Sequence, residues 1–184
     1  MIFDKIYQDL LHYSFPISFL YPTKNLQKDK LLFKHILIAF LSIEFRLVLS
    51  HRIQNMLWTL GFRKIAYLFY LFSKWKYKCD IHPAAVIGPG LRIGHCSDIV
   101  IGPEVIIGSF AIIFNGVTLG NQQLIEKNNM PKLGNYVVLG TGSKILGDIS
   151  IGNMVKVGAN SVVIRSVPNG KIVAGVPAKI IKKI

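Results

Sequence analysis

The side chains that could do chemistry are few: five histidines and two cysteines in 184 residues. An imidazole gains or loses its proton near neutral pH, so histidine is the first candidate for general acid-base work. His12, His35 and His51 fall in the N-terminal part of the chain, and such histidines are mostly packed or surface residues. His82 and His95 fall in the C-terminal part, in the strings DIHPAA and RIGHCSD. Two imidazoles fall short of the three that a histidine-only zinc site needs, so no metal is expected. Cys79 and Cys96 form neither a CxxC pair nor a disulfide framework, which leaves a reduced cytoplasmic setting as the default. Cys96 adjoins His95 and could be a nucleophile, but no separate basic partner is visible and a buried thiol is commoner. His82 stands where other repeats carry glycine and reads as a corner residue.

These residues sit in a periodic stretch. Aliphatic residues recur every six positions at Ile81, Ile87 and Ile93, then after a two-residue phase shift at Ile101, Ile107, Ile113 and Leu119. The spacing resumes at Leu133, Leu139, Ile145, Ile151, Val157 and Val163. Glycine follows many of them, as at Gly88, Gly94, Gly102, Gly108, Gly134, Gly140 and Gly152. A six-residue unit makes one flat strand and one turn, and three units close a triangular rung of about eighteen residues. The aliphatic column points inward and stacks from rung to rung, and the neighbouring glycine is expected to ease the corner backbone. The fold class predicted is mainly β: a parallel β-helix of about four rungs, over residues 79–184, with a C-terminal tail. The polar segment 121–132 breaks the register and is expected to be a loop thrown out from one corner, where binding residues gather.

Residues 1–78 read as an α-helical region. Apolar residues there recur at helical spacing, with Phe45, Val48, Leu49, Ile53, Met56 and Leu57 predicted as one buried stripe and Arg46, Arg52 and Gln54 elsewhere on the wheel. A short helix is predicted over residues 2–13, before Pro16 and Pro22. The start MIFDKIYQDL lacks the marks of a signal peptide, and the most apolar stretch, residues 36–49, is interrupted by Glu44 and Arg46. No export and no membrane span are therefore expected. Lys and Arg outnumber Asp and Glu by 22 to 9, which predicts attraction to anions without naming one. No nucleic-acid motif accompanies the charge, so nucleic acid is not an expected partner.

The motifs HRIQNMLWTLGFRK, CDIHPAAVIGPGLRIGH, GVTLG, KILGDISIG and AGVPAKII resemble the serine acetyltransferase branch of hexapeptide-repeat acyltransferases, including its bacterial exopolysaccharide O-acetyltransferase relatives. The resemblance covers about 130 of 184 residues. It implies a left-handed β-helix, a homotrimer or a dimer of trimers, and acetyl-CoA as acetyl donor lying between neighbouring β-helices. It also implies a catalytic His paired with an Asp fifteen residues earlier, here His95 and Asp80. That spacing is three short of one rung and is compatible with adjacent rungs near one corner. By the same resemblance acetyl-CoA would run past Gly140, Thr141 and Ala159, with Arg165 and Lys179 near its phosphates.

Three departures steer the expected acceptor. Serine acetyltransferases resemble one another in an Asp before the catalytic His and an Arg-His pair in the loop, where this chain has Gly94, Asn129 and Met130. An amino acid's two charges need fixed partners. The expectation is therefore a sugar hydroxyl in capsule, exopolysaccharide or lipopolysaccharide synthesis, bound with help from Asn121, Asn129 and Met130. The alternative is serine itself, as in cysteine biosynthesis. A third reading, a non-catalytic scaffold, would rest on the terminal Ile184. Basic, aromatic helices such as residues 66–72 are compatible with a cytoplasmic protein that visits the inner membrane face, although such faces more often join subunits.

Overall fold

The structure is a computed structural model that describes residues 2–14, 37, 39–122 and 130–183. Asn129, His35 and Ile184, on which three of the expectations above bear, lie outside the described residues. Among the described residues the helices α1 (Ile2–Ser14), α2 (Ile43–Thr59) and α3 (Arg63–Tyr77) precede the strands, and residues 37 and 39–41 are also helical. Among the described residues no helix is long and apolar enough to cross a membrane.

The rest winds as a left-handed parallel β-helix. Its first rung is β1 (Asp80–Ile81), β2 (Val86–Ile87) and β3 (Arg92–Gly94), and its second is β4 (Val100–Ile101), β5 (Ile106–Ile107) and β6 (Ile112–Phe114). The third is β7 (Thr118–Gly120), β8 (Lys132–Leu133) and β9 (Val138–Leu139), and the fourth is β10 (Lys144–Leu146), β11 (Ser150–Ile151) and β12 (Lys156–Val157). A partial fifth holds β13 (Val162–Val163) and β14 (Lys171–Gly175). The first side stacks β1-β4-β7-β10-β13, the second β2-β5-β8-β11, and the third β3-β6-β9-β12-β14. The expected tail is instead a strand, β15 (Ala178–Lys183), folded back antiparallel on β14.

All thirteen residues of the six-residue register are buried, from Ile81 to Val163. Each buried aliphatic side chain is worth about 2 kcal/mol over its exposed state. A slip that turned the column outward would therefore forfeit more than the net stability of an ordinary domain, roughly 5–15 kcal/mol. The glycines that follow the column serve stacking rather than corner dihedrals. A Cβ on Gly88 would sit 2.7 Å from the Gly108 carbonyl carbon one rung away, so only glycine allows the rungs to close up there.

The helices cap the first rung: α1 and α2 contact β3, and α3 contacts β1. The buried face of α2 is not the predicted stripe. Phe45, Leu47, Val48, His51, Arg52 and Gln54 are buried, while Ile53 is exposed. The reason is what α2 packs on. The first rung presents backbone carbonyls, and Arg52 donates from Nη1 to Ile87 O at 2.6 Å and from Nη2 to Gly88 O at 2.6 Å. Its Nε and Nη2 also pair with Asp9 of α1 at 2.8 and 3.1 Å, and the same carboxylate accepts the Leu91 N–H at 2.9 Å. Asn55 likewise donates to Pro83 O and Ala85 O.

Two buried histidines in this layer set a pH dependence. Burial, with the charge of Arg52 second, pushes His51 down to about 3, and burial with Arg92 pushes His12 down to about 4. Unfolded, both protonate near their ordinary 6.5, so the unfolded state binds more protons as pH falls. Stability is full above that value and is lost below it, by up to about 1.4 kcal/mol per pH unit for each histidine. Urea midpoints are expected to fall steadily between about pH 7 and pH 5, with a shallower fall in His51→Phe.

Candidate active site

The two extra residues of the phase shift are spent at one corner. Ile93 and Ile101 are both in the inner column, and the six-residue register would need only six steps between them, not eight. The excess bulges out as residues 95–98 between β3 and β4, with His95 at φ +63° and Asp98 at φ +53°. A non-glycine residue in this left-handed region costs about 1–2 kcal/mol, and the corner residues Phe110, Tyr136, Met154 and Asn160 share the positive φ, so it is the two extra residues that set this corner apart. The bulge is tied down by Asp98 N–H to Lys78 O at 3.1 Å and by Gly116 N–H to Ser97 O at 2.9 Å. It exposes the His95 side chain.

Asp80 opens β1 on the same corner, one rung away from β4. Its carboxylate accepts the Tyr70 hydroxyl at 2.5 Å on Oδ1 and the Lys74 ammonium at 2.5 Å on Oδ2. The hydrogen bond to Asp80 holds Lys74 above its usual range, and burial with that same contact pushes Tyr70 up to about 12. Tyr70 and Lys74 were not among the residues read from sequence. No sequence spacing marks them: the turn at Lys78, with a left-handed φ of 54°, swings the chain from the end of α3 into β1 and so brings Asp80 back beside α3. The structure sets Asp80 and His95 on one corner, but no hydrogen bond joins them. His82 packs its ring against Trp58 and Tyr70, accepts the Ala84 N–H on Nδ1 at 3.1 Å, and is pulled down by burial against the opposing charge of Asp80. Its place is structural.

Gly140, Thr141 and Ala159 lie on the same corner as His95, two and three rungs further along. A Cβ on Gly140 would sit 2.7 Å from Ala159 N, so this stretch presents backbone rather than side chains. Thr141 donates to Asn115 Oδ1 at 3.1 Å and is exposed. Lys179 is exposed on β15, opposite Ala174, on the side that leads into this corner. Arg165 is not brought there: it is exposed on the next corner, after β13, in line with the loop that leaves β7. Asn121 begins that loop and Met130 ends its described part, with the Met130 sulfur packed over Gly102. Within one chain the loop corner and the His95 corner are separate.

No family model matches the chain. The serine acetyltransferase of Buchnera aphidicola from Schizaphis graminum is 40% identical over 186 residues, spanning all of this chain and 70% of that protein. The chain belongs to the serine acetyltransferase family. Among solved structures, the Neisseria gonorrhoeae serine acetyltransferase in complex with serine matches with a TM-score of 0.83 at 31% identity, over 98% of this chain and 69% of that one. The Brucella abortus serine acetyltransferase in complex with coenzyme A matches with a TM-score of 0.81 at 31% identity, over 97% and 67%. Against serine acetyltransferases of Mycobacterium tuberculosis and Escherichia coli K12 the chain spans 58% and 51% of their length. As a member of this family the chain is an acetyl-CoA-dependent O-acetyltransferase.

The expected sugar acceptor and the exopolysaccharide branch are corrected by these matches, which are to serine acetyltransferases across the whole chain. The physical reason is visible at two of the three positions that carried the inference, Gly94 and Met130. Met130 packs over Gly102 on the loop corner, and Asn129 is not described. At Gly94 a Cβ would sit 2.9 Å from the Phe114 ring, so the space of a side chain there is already filled. Lost charges at these places report on local packing and say little about the acceptor. Nothing found supports contact with a membrane either.

Proposed function

We propose that the chain transfers the acetyl group of acetyl-CoA to the hydroxyl of serine, with His95 as general base. The observation that carries the reading is the exposed His95 on its bulge, in a chain matched end to end by a serine acetyltransferase. His95 takes the hydroxyl proton as the oxygen attacks the thioester carbonyl, and the thiolate of coenzyme A leaves. Asp80 steadies the imidazolium that forms. Each carboxylate oxygen already accepts one bond, from Tyr70 or Lys74, and keeps a lone pair for a ring N–H once the His95 side chain turns toward it.

Gly140, Thr141 and Ala159 line the acetyl-CoA groove along the His95 corner, and Lys179 meets its phosphates. The separation of the Arg165 and loop corner from the His95 corner supports a site shared between neighbouring chains, as in a trimer. The outer face of α3 supports the same assembly, because Leu68, Phe72 and Trp75 are exposed there in one row and a contiguous apolar face needs cover. Purified protein given acetyl-CoA and serine is expected to yield O-acetylserine by mass and to scatter light as a multiple of three chains. Turnover absent with serine would overturn the acceptor, and a monomer would overturn the shared site.

A further inference from the structure

The bulge that carries His95 is also in contact with a second thiol. Cys96, the next residue, points back to the end of α3: its sulfur lies 3.5 Å from the Cys79 sulfur and 3.5 Å from Tyr77 O. Both cysteines are free. Cys79 is buried at 3% exposure, whereas Cys96 is only half-buried and packs against the core from outside. Chain order gives no hint of the pair, since seventeen residues separate them. The first rung makes it, by stacking the turn after α3 beneath the bulge, with Asp98 N–H on Lys78 O beside it.

We propose that Cys79 and Cys96 are an oxidation site that forms an intrachain disulfide and displaces His95. Bonded sulfurs stand about 2.05 Å apart, so the pair must close by roughly 1.5 Å. The bulge is the part that can give, because α3 and β1 are held by the packed core. The two thiols share a proton along their contact: the Cys96 S–H eases ionisation of Cys79, and the resulting charge opposes ionisation of Cys96. Once ionised, the buried Cys79 thiolate draws the proton from Cys96 across this contact, which places a thiolate at the half-exposed sulfur that an outside disulfide can reach.

The oxidant is a small-molecule disulfide such as glutathione disulfide. A thiolate at the half-exposed Cys96 attacks one glutathione sulfur, breaks its S–S bond and releases one glutathione thiolate, which takes up a proton. Cys79 then attacks the Cys96 sulfur of the mixed disulfide and releases the second glutathione. The two protein thiols lose two electrons and two protons, and one glutathione disulfide becomes two glutathiones. In a reducing cytoplasm the pair rests as dithiol, and a rise in oxidised glutathione converts it. A shift of about 1 Å at the base can cost as much as 10²-fold in rate.

The test treats the full chain with glutathione disulfide, blocks remaining thiols with iodoacetamide, and measures intact mass with and without dithiothreitol. The expected product has lost two hydrogens, takes no alkyl group, migrates as a single chain without reductant, and shows kcat lowered about tenfold or more until dithiothreitol restores it. Cys96→Ser is expected to keep its kcat through the treatment, and Cys79→Ser to stop at a glutathione adduct on Cys96 that adds the mass of one glutathione and is removed by dithiothreitol; should Cys79→Ser fail to fold, Cys96→Ser decides. Two alkylated cysteines after treatment, a link between chains, or an equal loss of kcat in Cys96→Ser would overturn the proposal. The activity arm rests on the serine reading. An untreated enzyme with no serine turnover sinks that reading, while the mass arm still decides the disulfide.

Discussion

His95→Gln is expected to lower kcat for acetyl transfer to serine by about 10²–10⁴, the worth of a positioned general base. The KM for acetyl-CoA should stay near its original value, because the groove proposed for the donor lies on later rungs around Gly140, Thr141 and Ala159. Stopped assays of coenzyme A release, with product mass as the second readout, measure both. The fold should not move. His95 is exposed and makes no side-chain hydrogen bond, so its loss removes no buried contact. Glutamine keeps an amide where the ring was but cannot take up a proton at the attacking oxygen. Full activity in His95→Gln would remove the histidine from the chemistry. A loss confined to KM would make it a binding residue. Lys74→Met, by contrast, removes one of two donors to Asp80 and leaves Tyr70 in place, so its effect on kcat should be smaller than that of His95→Gln.

The β-helix was legible because its cause is local and repeated: an inward aliphatic at every sixth position is both the sequence pattern and the core. Even the anomaly in the pattern was informative. The two-residue phase shift after Ile93 marks the bulge that bears His95 and Cys96. The helical layer was less legible, since a helical wheel assumes an apolar partner. The partner of α2 is the open end of a β-helix, whose carbonyls at Ile87 and Gly88 require donors, and so Arg52 faces inward and Ile53 outward. The Tyr70, Lys74 and Asp80 cluster and the Cys79 and Cys96 contact were illegible for a related reason. Both depend on how the end of α3 turns into β1, a three-dimensional fact set by the left-handed Lys78. The acceptor was misread because missing charges were given a meaning before it was known what filled their places. Phe114 against Gly94 and Met130 over Gly102 show packing that no spacing rule displays.

Arg52→Ala is expected to be the most destabilising single change in the helical layer, by about 3–5 kcal/mol, because it breaks a buried ion pair from one side. Arg52 and Asp9 are 3% and 1% exposed. Without the guanidinium, Asp9 is left as a buried carboxylate with the Leu91 N–H as its remaining donor, and the Ile87 and Gly88 carbonyls lose their bonds from α2. Arg52→Lys should recover only part of this loss, since one ammonium cannot reproduce a fork that spans two carboxylate oxygens and two carbonyls. Asp9→Ala strips the same pair from the other side and also orphans Leu91 N–H, so the two single changes should be similar in size. The double change Arg52→Met with Asp9→Leu should cost clearly less than the sum of the singles, for it removes both buried charges together. Urea unfolding of the four variants measures this coupling. If the singles simply add, the pair is not the link that holds α1 and α2 to the first rung. A coupling of a few kcal/mol would instead assign the docking of the helices to four groups, Arg52, Asp9 and the carbonyls of Ile87 and Gly88. Since α3 packs on α2 and carries Tyr70 and Lys74, loosening that dock should also loosen their hold on Asp80.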